Sequence, residues 1–244
     1  MQASPGNERK LSWNDLPALF PGFRAPKTWL PRLQKHAHLV AEAAPRVRVS
    51  AVDPADAIRR HYAESLELLR IILAERDVTA VADVGSGGGF PGLVIACVLD
   101  DCPVHLVESL QKRAKLLADL AEALGLRHVT VHALRGEEAG RGELRDGLPI
   151  VTARAVAPLH ELLEYTAPLA ATGGSLFFPK GSGLSEELTT AKRAMEALNC
   201  EVRAQIPMRA EINPLVSVLR LDKRGPTPER YPRRPGMPAK HPLL

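Results

Sequence analysis

The residues best suited to chemistry stand together at Asp83–Gly92, DVGSGGGFPG, where five of ten positions are glycine. Glycine permits positive φ and leaves the backbone bare, so such a run marks a tight turn or the close approach of a ligand. Two readings of the loop remain open. GGGFPG (87–92) fits G-x-G-x-x-G, the phosphate cradle of dinucleotide-binding proteins. GSGGG (85–89), two residues after Asp83, fits G-x-G-x-G, a loop for a nucleoside without a pyrophosphate, such as S-adenosylmethionine. Counted from Gly85, where the apolar run ends, the third glycine of the dinucleotide pattern falls on Phe90. A bulky residue there suits packing against an apolar or aromatic ligand surface. Glu108 closes the next apolar run, and a carboxylate at that point accepts both ribose hydroxyls of either ligand. Asp83, Gly85, Gly87 and Glu108 therefore indicate a nucleoside without choosing between the two.

These residues need strands and helices to position them. VTAVADV (78–84), PVHLVE (103–108), HVTVHA (128–133), PIVTARA (149–155) and GSLFFP (174–179) are short apolar runs that read as buried strands. Helical patterns over 90–99, 110–125, 158–170 and 184–198 separate or follow them. Alternation of this kind predicts a doubly wound, mostly parallel sheet. Strands near 200–206 and 215–221 are joined by MRAEINP (208–214), too short for a crossover, which predicts an antiparallel end. Ahead of the sheet, one helix runs from Thr28 to about Ala44, and a second is opened by the Asp53-Pro54 cap. The expected organisation is a helical extension over 1–76, a sheet domain over 77–221 and a basic, proline-rich tail over 222–244. His61, three residues before Glu64 on the second helix, is expected to be a structural hydrogen-bond partner rather than a catalyst.

The 244 residues are 45% hydrophobic and 25% charged, as in ordinary globular chains, with a formal net charge of +4. The tail from Asp222 carries six Lys/Arg and two acids, so it accounts for the whole excess. Concentrated positive charge favours a polyanionic partner, and Lys112, Arg113 and Lys115 form a second basic face. Cys97, Cys102 and Cys200 form neither a CxxC pair nor a metal spacing and read as thiols of a reducing, cytoplasmic setting. Neither a membrane span nor a secretory signal is expected from the apolar runs.

In order along the chain, HYAESL (61–66), DVGSGGGFPG (83–92), LVESLQKRAKLL (106–117), RGEE (135–138), TARAVAPL (152–159), PKG (179–181) and TPERYPRRPGMPAKHPL (227–243) resemble the RsmG/GidB family, bacterial 16S rRNA (guanine-N7)-methyltransferases. The resemblance covers roughly residues 30–244. It implies an α/β, class I S-adenosylmethionine-dependent methyltransferase fold, Rossmann-like and doubly wound with an antiparallel last strand, plus the short N-terminal helical extension. It also implies a monomer whose partner is 16S rRNA or the small ribosomal subunit, modified at G527 of the decoding-region loop. By motif, Gly85 and Phe90 lie against S-adenosylmethionine, Glu108 and Ser109 at its ribose, and Gly136 and Glu137 beside its adenine. Arg154 is the cofactor-site arginine, and Lys180 lies near the substrate. Where relatives have Asn-Leu-Thr this chain has Arg48-Val49-Ser50; Glu64 replaces a common Asp, and Gly136 replaces alanine or valine. Guanine N7 carries a lone pair and no proton, so its methylation calls for in-line positioning rather than a general base. A nicotinamide-dependent oxidoreductase and a non-catalytic RNA-binding or ribosome-assembly factor are the alternatives.

Overall fold

Valine- and leucine-rich stretches with both faces buried build the centre of the molecule, a computed structural model that describes residues 10–47, 49 and 52–244. The strands are β1 (Val81–Val84), β2 (Val104–Val107), β3 (Val129–His132), β4 (Leu148–Thr152), β5 (Ala170–Lys180), β6 (Cys200–Pro207) and β7 (Ser217–Lys223). They form one sheet in the order β3-β2-β1-β4-β5-β7-β6. β1 pairs in parallel with β2 and β4, and β4 with β5, while β7 runs antiparallel between β5 and β6. The expected antiparallel end is therefore present, with 208–214 as its hairpin connection.

Side chains alternate across each strand, so neighbouring residues serve different cores. Val81, Leu106 and Phe177 join one cluster; Ala82, Val107 and Phe178 join the other. The first face is covered by α2 (Trp29–Ala43), α3 (Glu64–Glu75), α4 (Gly92–Val98) and α5 (Gln111–Ala123), after a short α1 (Leu16–Leu19). The second carries α6 (Gly136–Ala139), α7 (Leu159–Thr166), α8 (Leu184–Thr190) and α9 (Lys192–Ala197), with α10 (Met237–Lys240) near the end of the chain. The expected helix over 184–198 is thus two helices meeting at Ala191, and that over 158–170 closes in a 3-10 turn, Ala167–Leu169.

The helices before the sheet share its first core, since Leu16, Leu33, Leu66 and Leu69 are buried in one cluster with Val81 and Leu93. Asp53 accepts the Ala55 N–H at 2.8 Å, as its place before Pro54 predicts. A π-helical turn, Ile58–Ala63, then feeds α3. Such wide turns often accompany functional sites.

The basic tail is tied to the body of the protein. The buried Lys223 Nζ donates to Asp146 Oδ1 at 2.9 Å and Thr227 Oγ1 at 2.7 Å. Arg233 grips the buried Glu164 through its backbone N–H and guanidinium, at 2.6–3.1 Å. Arg145 donates to the Thr227 and Tyr231 carbonyls, each at 2.8 Å. Buried charges need paired partners, so the buried Glu164 holds Arg233 and the half-buried Asp146 satisfies the buried Lys223; two of the tail's six cations thus strap it to the second face. Arg234 and Lys240 remain exposed.

Candidate active site

The glycine loop joins β1 to α4 at the carboxyl end of the sheet, and it is held from beneath. Asp83 is fully buried; its Oδ2 accepts the Gly92 N–H at 2.9 Å, and its other oxygen has no hydrogen-bond partner among the described residues. Burial pushes its carboxyl up to about 6, against the opposing pull of the Gly92 N–H. Glu108 Oε2 accepts the Gly87 N–H at 3.0 Å, and Oε1 accepts the Leu110 N–H at 2.9 Å. Two glycines are required by space. Gly85 has φ +75°, and a Cβ there would lie 2.6 Å from Val156 Cγ2. A Cβ on Gly92 would overlap the Leu106 side chain and lie 2.7 Å from Asp83 Oδ2.

Phe90 sits in an aromatic knot between this loop and the helices before the sheet. Its ring stacks on His61 with centroids 4.3 Å apart and 13° between planes. His36 and Tyr62 meet it edge-on, at 5.1 and 5.3 Å. The Gly88 carbonyl, 3.0 Å from His36 Nε2, can only accept, so Nε2 carries the proton and Nδ1 receives the Tyr62 hydroxyl at 2.9 Å. Phe90 is 6% exposed, and its main partners are the protein's own rings. The expected ligand-facing bulk is therefore chiefly a fastener, though Phe90 still lines the adjoining cavity.

Arg154 follows β4 and reaches back to the π-helical turn. Nη1 donates to the Arg60 carbonyl at 2.7 Å and pairs with Glu64 Oε2 at 3.5 Å; Nη2 donates to His61 Nδ1 at 2.9 Å. A guanidinium only donates, so His61 Nδ1 is bare. Burial first, then the charges of Arg154 and Arg60, lowers His61 to about 4. His61 is thus a neutral structural partner of the loop. Glu64 Oε1 accepts from Asn213 Nδ2 at 2.7 Å and pairs with Arg60 at 2.9 Å. The next residue after Arg154, Ala155, has φ +54°, a strained conformation for alanine, and Val156 beyond it covers Gly85.

These elements enclose a cavity of about 920 Å³, in the range of cofactor and ligand sites. Gly85, Gly87, Phe90, Arg154 and Lys180, all expected from the sequence, line it together. Val49 also lines it; Arg48 and Ser50 lie outside the described residues. Asp83, Glu108, Ser109, Gly136 and Glu137 are not in the lining. Asp83 and Glu108 set the loop instead, and Ser109 is exposed on the connection to α5. Gly136 packs against Tyr165 on α7, and the buried Glu137 accepts the Gly236 N–H of the tail at 2.9 Å. The described wall also includes Arg113, expected from the sequence on a basic face, and Arg60, Glu64 and Glu187, which have no site role in the sequence reading. Arg60 and Glu64 are an i,i+4 pair, a visible signal. Glu187 reaches the site only through the return of α8, which has no local signature. Four cations face two carboxylates, so the described wall favours anionic groups.

A nucleoside cofactor fits this setting. Gly85 leaves backbone bare where a Cβ would collide, and each Glu108 oxygen accepts one N–H and keeps a lone pair. The antiparallel β7 separates the sheet from the 3-2-1-4-5-6 parallel order of dinucleotide-binding folds.

Comparison with known proteins agrees. A solved structure of an MtNAS mutant in complex with S-adenosylmethionine matches at a TM-score of 0.55 and 16% identity, covering 89% of this chain and 86% of that one. At that identity the likeness concerns the fold, that of class I S-adenosylmethionine-dependent methyltransferases. "Ribosomal RNA small subunit methyltransferase G" of Roseiflexus castenholzii is 38% identical over 202 residues, covering 82% of this chain and 85% of its own. The protein of the same name from Chloroflexus aggregans is 39% identical over 200 residues, covering 81% and 83%. The model of the GidB family, rRNA small subunit methyltransferase G, matches residues 30–214, and the chain belongs to that family.

Proposed function

We propose that the protein methylates N7 of a guanine in 16S rRNA, G527, with S-adenosylmethionine as donor, acting as a monomer on the small ribosomal subunit in the cytoplasm. The observation that carries this reading is the cationic cavity, which joins the glycine loop to the connection after β4 and the end of β5. Gly85 and Gly87 offer bare backbone to the cofactor. By the family resemblance we assign Glu108 and Ser109 to its ribose and Gly136 and Glu137 to its adenine, at the edge of the cavity rather than in its described lining. When bound, S-adenosylmethionine supplies an electrophilic methyl group.

The chain's own residues supply position and field. Arg154, the proposed cofactor-site arginine, is held at the cavity wall by Arg60, His61 and Glu64. The excess of cations in the described wall draws in the RNA backbone, as do Lys112, Arg234 and Lys240 outside it. Because N7 has no proton to lose, catalysis rests on holding it in line, an effect worth up to about 7–11 kcal/mol in favourable cases. In duplex RNA, N7 faces a deep, narrow groove that side chains do not enter, so the guanine is taken from an opened loop.

Calorimetry with S-adenosylmethionine and with NAD, followed by incubation with unmodified small subunits and labelled donor, tests the reading. Selective binding of S-adenosylmethionine and label in rRNA are expected. Binding without label would leave an RNA-binding or assembly role, and tight NAD binding would reopen the oxidoreductase.

A further inference from the structure

β5 ends at Lys180, and the chain turns back into α8, which places Glu187 across from it. Lys180 Nζ donates to Glu187 Oε2 at 2.6 Å, and the same oxygen accepts the Leu159 N–H at the start of α7 at 2.8 Å. Two elements thus fix one carboxylate oxygen. The other, Oε1, has no hydrogen bond among the described residues, and the Glu187 side chain is 28% exposed. Both residues line the cavity that contains the glycine loop.

We infer that Glu187 and Lys180 read the acceptor base, Glu187 Oε1 accepting from guanine N1–H and the N2 amino group while Lys180 donates to O6. This rests on the methyltransferase reading above and specifies how its substrate base is selected. Guanine presents two donors and one acceptor along that edge, matching a carboxylate beside an ammonium. Adenine presents a bare N1 to the carboxylate and an amino group to the ammonium. Sites whose buried polar groups would be left unpaired or opposed reject the wrong ligand strongly.

The pair also suits the reaction's charge. Methylation at N7 places positive charge on the ring and makes N1–H a stronger donor. Its bond to Glu187 therefore strengthens along the reaction, the condition for a contact that raises rate rather than affinity alone. Glu187 also neutralises Lys180, so an ammonium at O6 does not oppose the charge forming on the base.

The test is kcat/KM for methyl transfer to small subunits carrying guanosine or inosine at the target position, with wild type and Glu187→Gln. Inosine lacks only the N2 amino group. Wild type is expected to favour guanosine by about tenfold to a hundredfold, the worth of one hydrogen bond to a charged group. In Glu187→Gln the amide oxygen keeps the Lys180 and Leu159 donors, and its NH2 meets the base's own donors. The guanosine-to-inosine ratio should fall toward one, with thermal stability and S-adenosylmethionine affinity kept. Equal wild-type rates on guanosine and inosine would overturn the inference before any variant is made. An unchanged ratio in a folded Glu187→Gln would overturn it too. Absence of transfer by wild type to guanosine would instead sink the methyltransferase reading on which it depends.

Discussion

Acidification should loosen the knot behind the glycine loop, and His36 allows the effect to be measured alone. Its ring is buried and neutral, with Nε2–H on the Gly88 carbonyl and Nδ1 under the Tyr62 hydroxyl. Burial lowers it from 6.5 to about 4, against the opposing pull of the Gly88 carbonyl. The folded value lies below the unfolded one, so on acidification the unfolded chain takes up the proton first. The stabilising contribution is complete above pH 6.5 and is lost progressively down to about pH 4. One proton difference changes stability by about 1.4 kcal/mol per pH unit, or about 3 kcal/mol across the window. Asp83, pushed up to about 6, has the opposite sign: the fold keeps its proton after the unfolded chain has released it. That contribution, and those of the lowered His105 and His132, are common to wild type and a His36→Gln variant, and His61, whose lowering owes more to burial, Arg154 and Arg60 than to His36, changes little. Urea unfolding of both proteins from pH 7 to 4.5 therefore isolates His36. The stability advantage of wild type should shrink by about 2–3 kcal/mol over that range. An advantage independent of pH, or an NMR titration of His36 near 6.5, would refute the reasoning.

Three substitutions probe other parts of the account. Gly92→Ala forces a methyl group onto Leu106 and the Asp83 carboxylate, costing about 1–3 kcal/mol of overpacking; calorimetry should also show weakened S-adenosylmethionine binding. Arg233→Ala keeps the backbone N–H but leaves the buried Glu164 without its countercharge, and chemical unfolding should show a loss of about 3–5 kcal/mol. Glu108→Ala removes the acceptor for the Gly87 and Leu110 N–H groups as well as the proposed ribose contact, so cofactor affinity should fall at least about tenfold. Unchanged affinity would displace the proposed site.

Much of the fold was readable because each buried strand is a short apolar run closed by polar or turn residues, and a link as short as 208–214 permits only antiparallel pairing. The glycine loop was equally plain, since five glycines in ten residues have few structural uses. What the sequence left hidden depends on how the chain turns back on itself, over short and long separations. Glu187 meets Lys180 only because α8 folds back, and Glu164 draws Arg233 across 69 positions. For the same reason the composition of the tail shows its charge but not that Arg233 pairs with the buried Glu164 and the buried Lys223 with Asp146. Phe90 lines the cavity, as its place in the loop suggests, but periodicity does not reveal that two histidines and a tyrosine also converge on it.

The central claim is most directly tested by mapping the product. Small subunits from cells lacking the gene would be incubated with the protein and S-adenosylmethionine. Their rRNA would then be treated with borohydride and aniline, which cleave the chain at N7-methylguanine, and read by primer extension. The account predicts one new stop, at G527, that depends on both protein and donor. Label incorporated into rRNA without such a stop, or a stop at a different base, would contradict it.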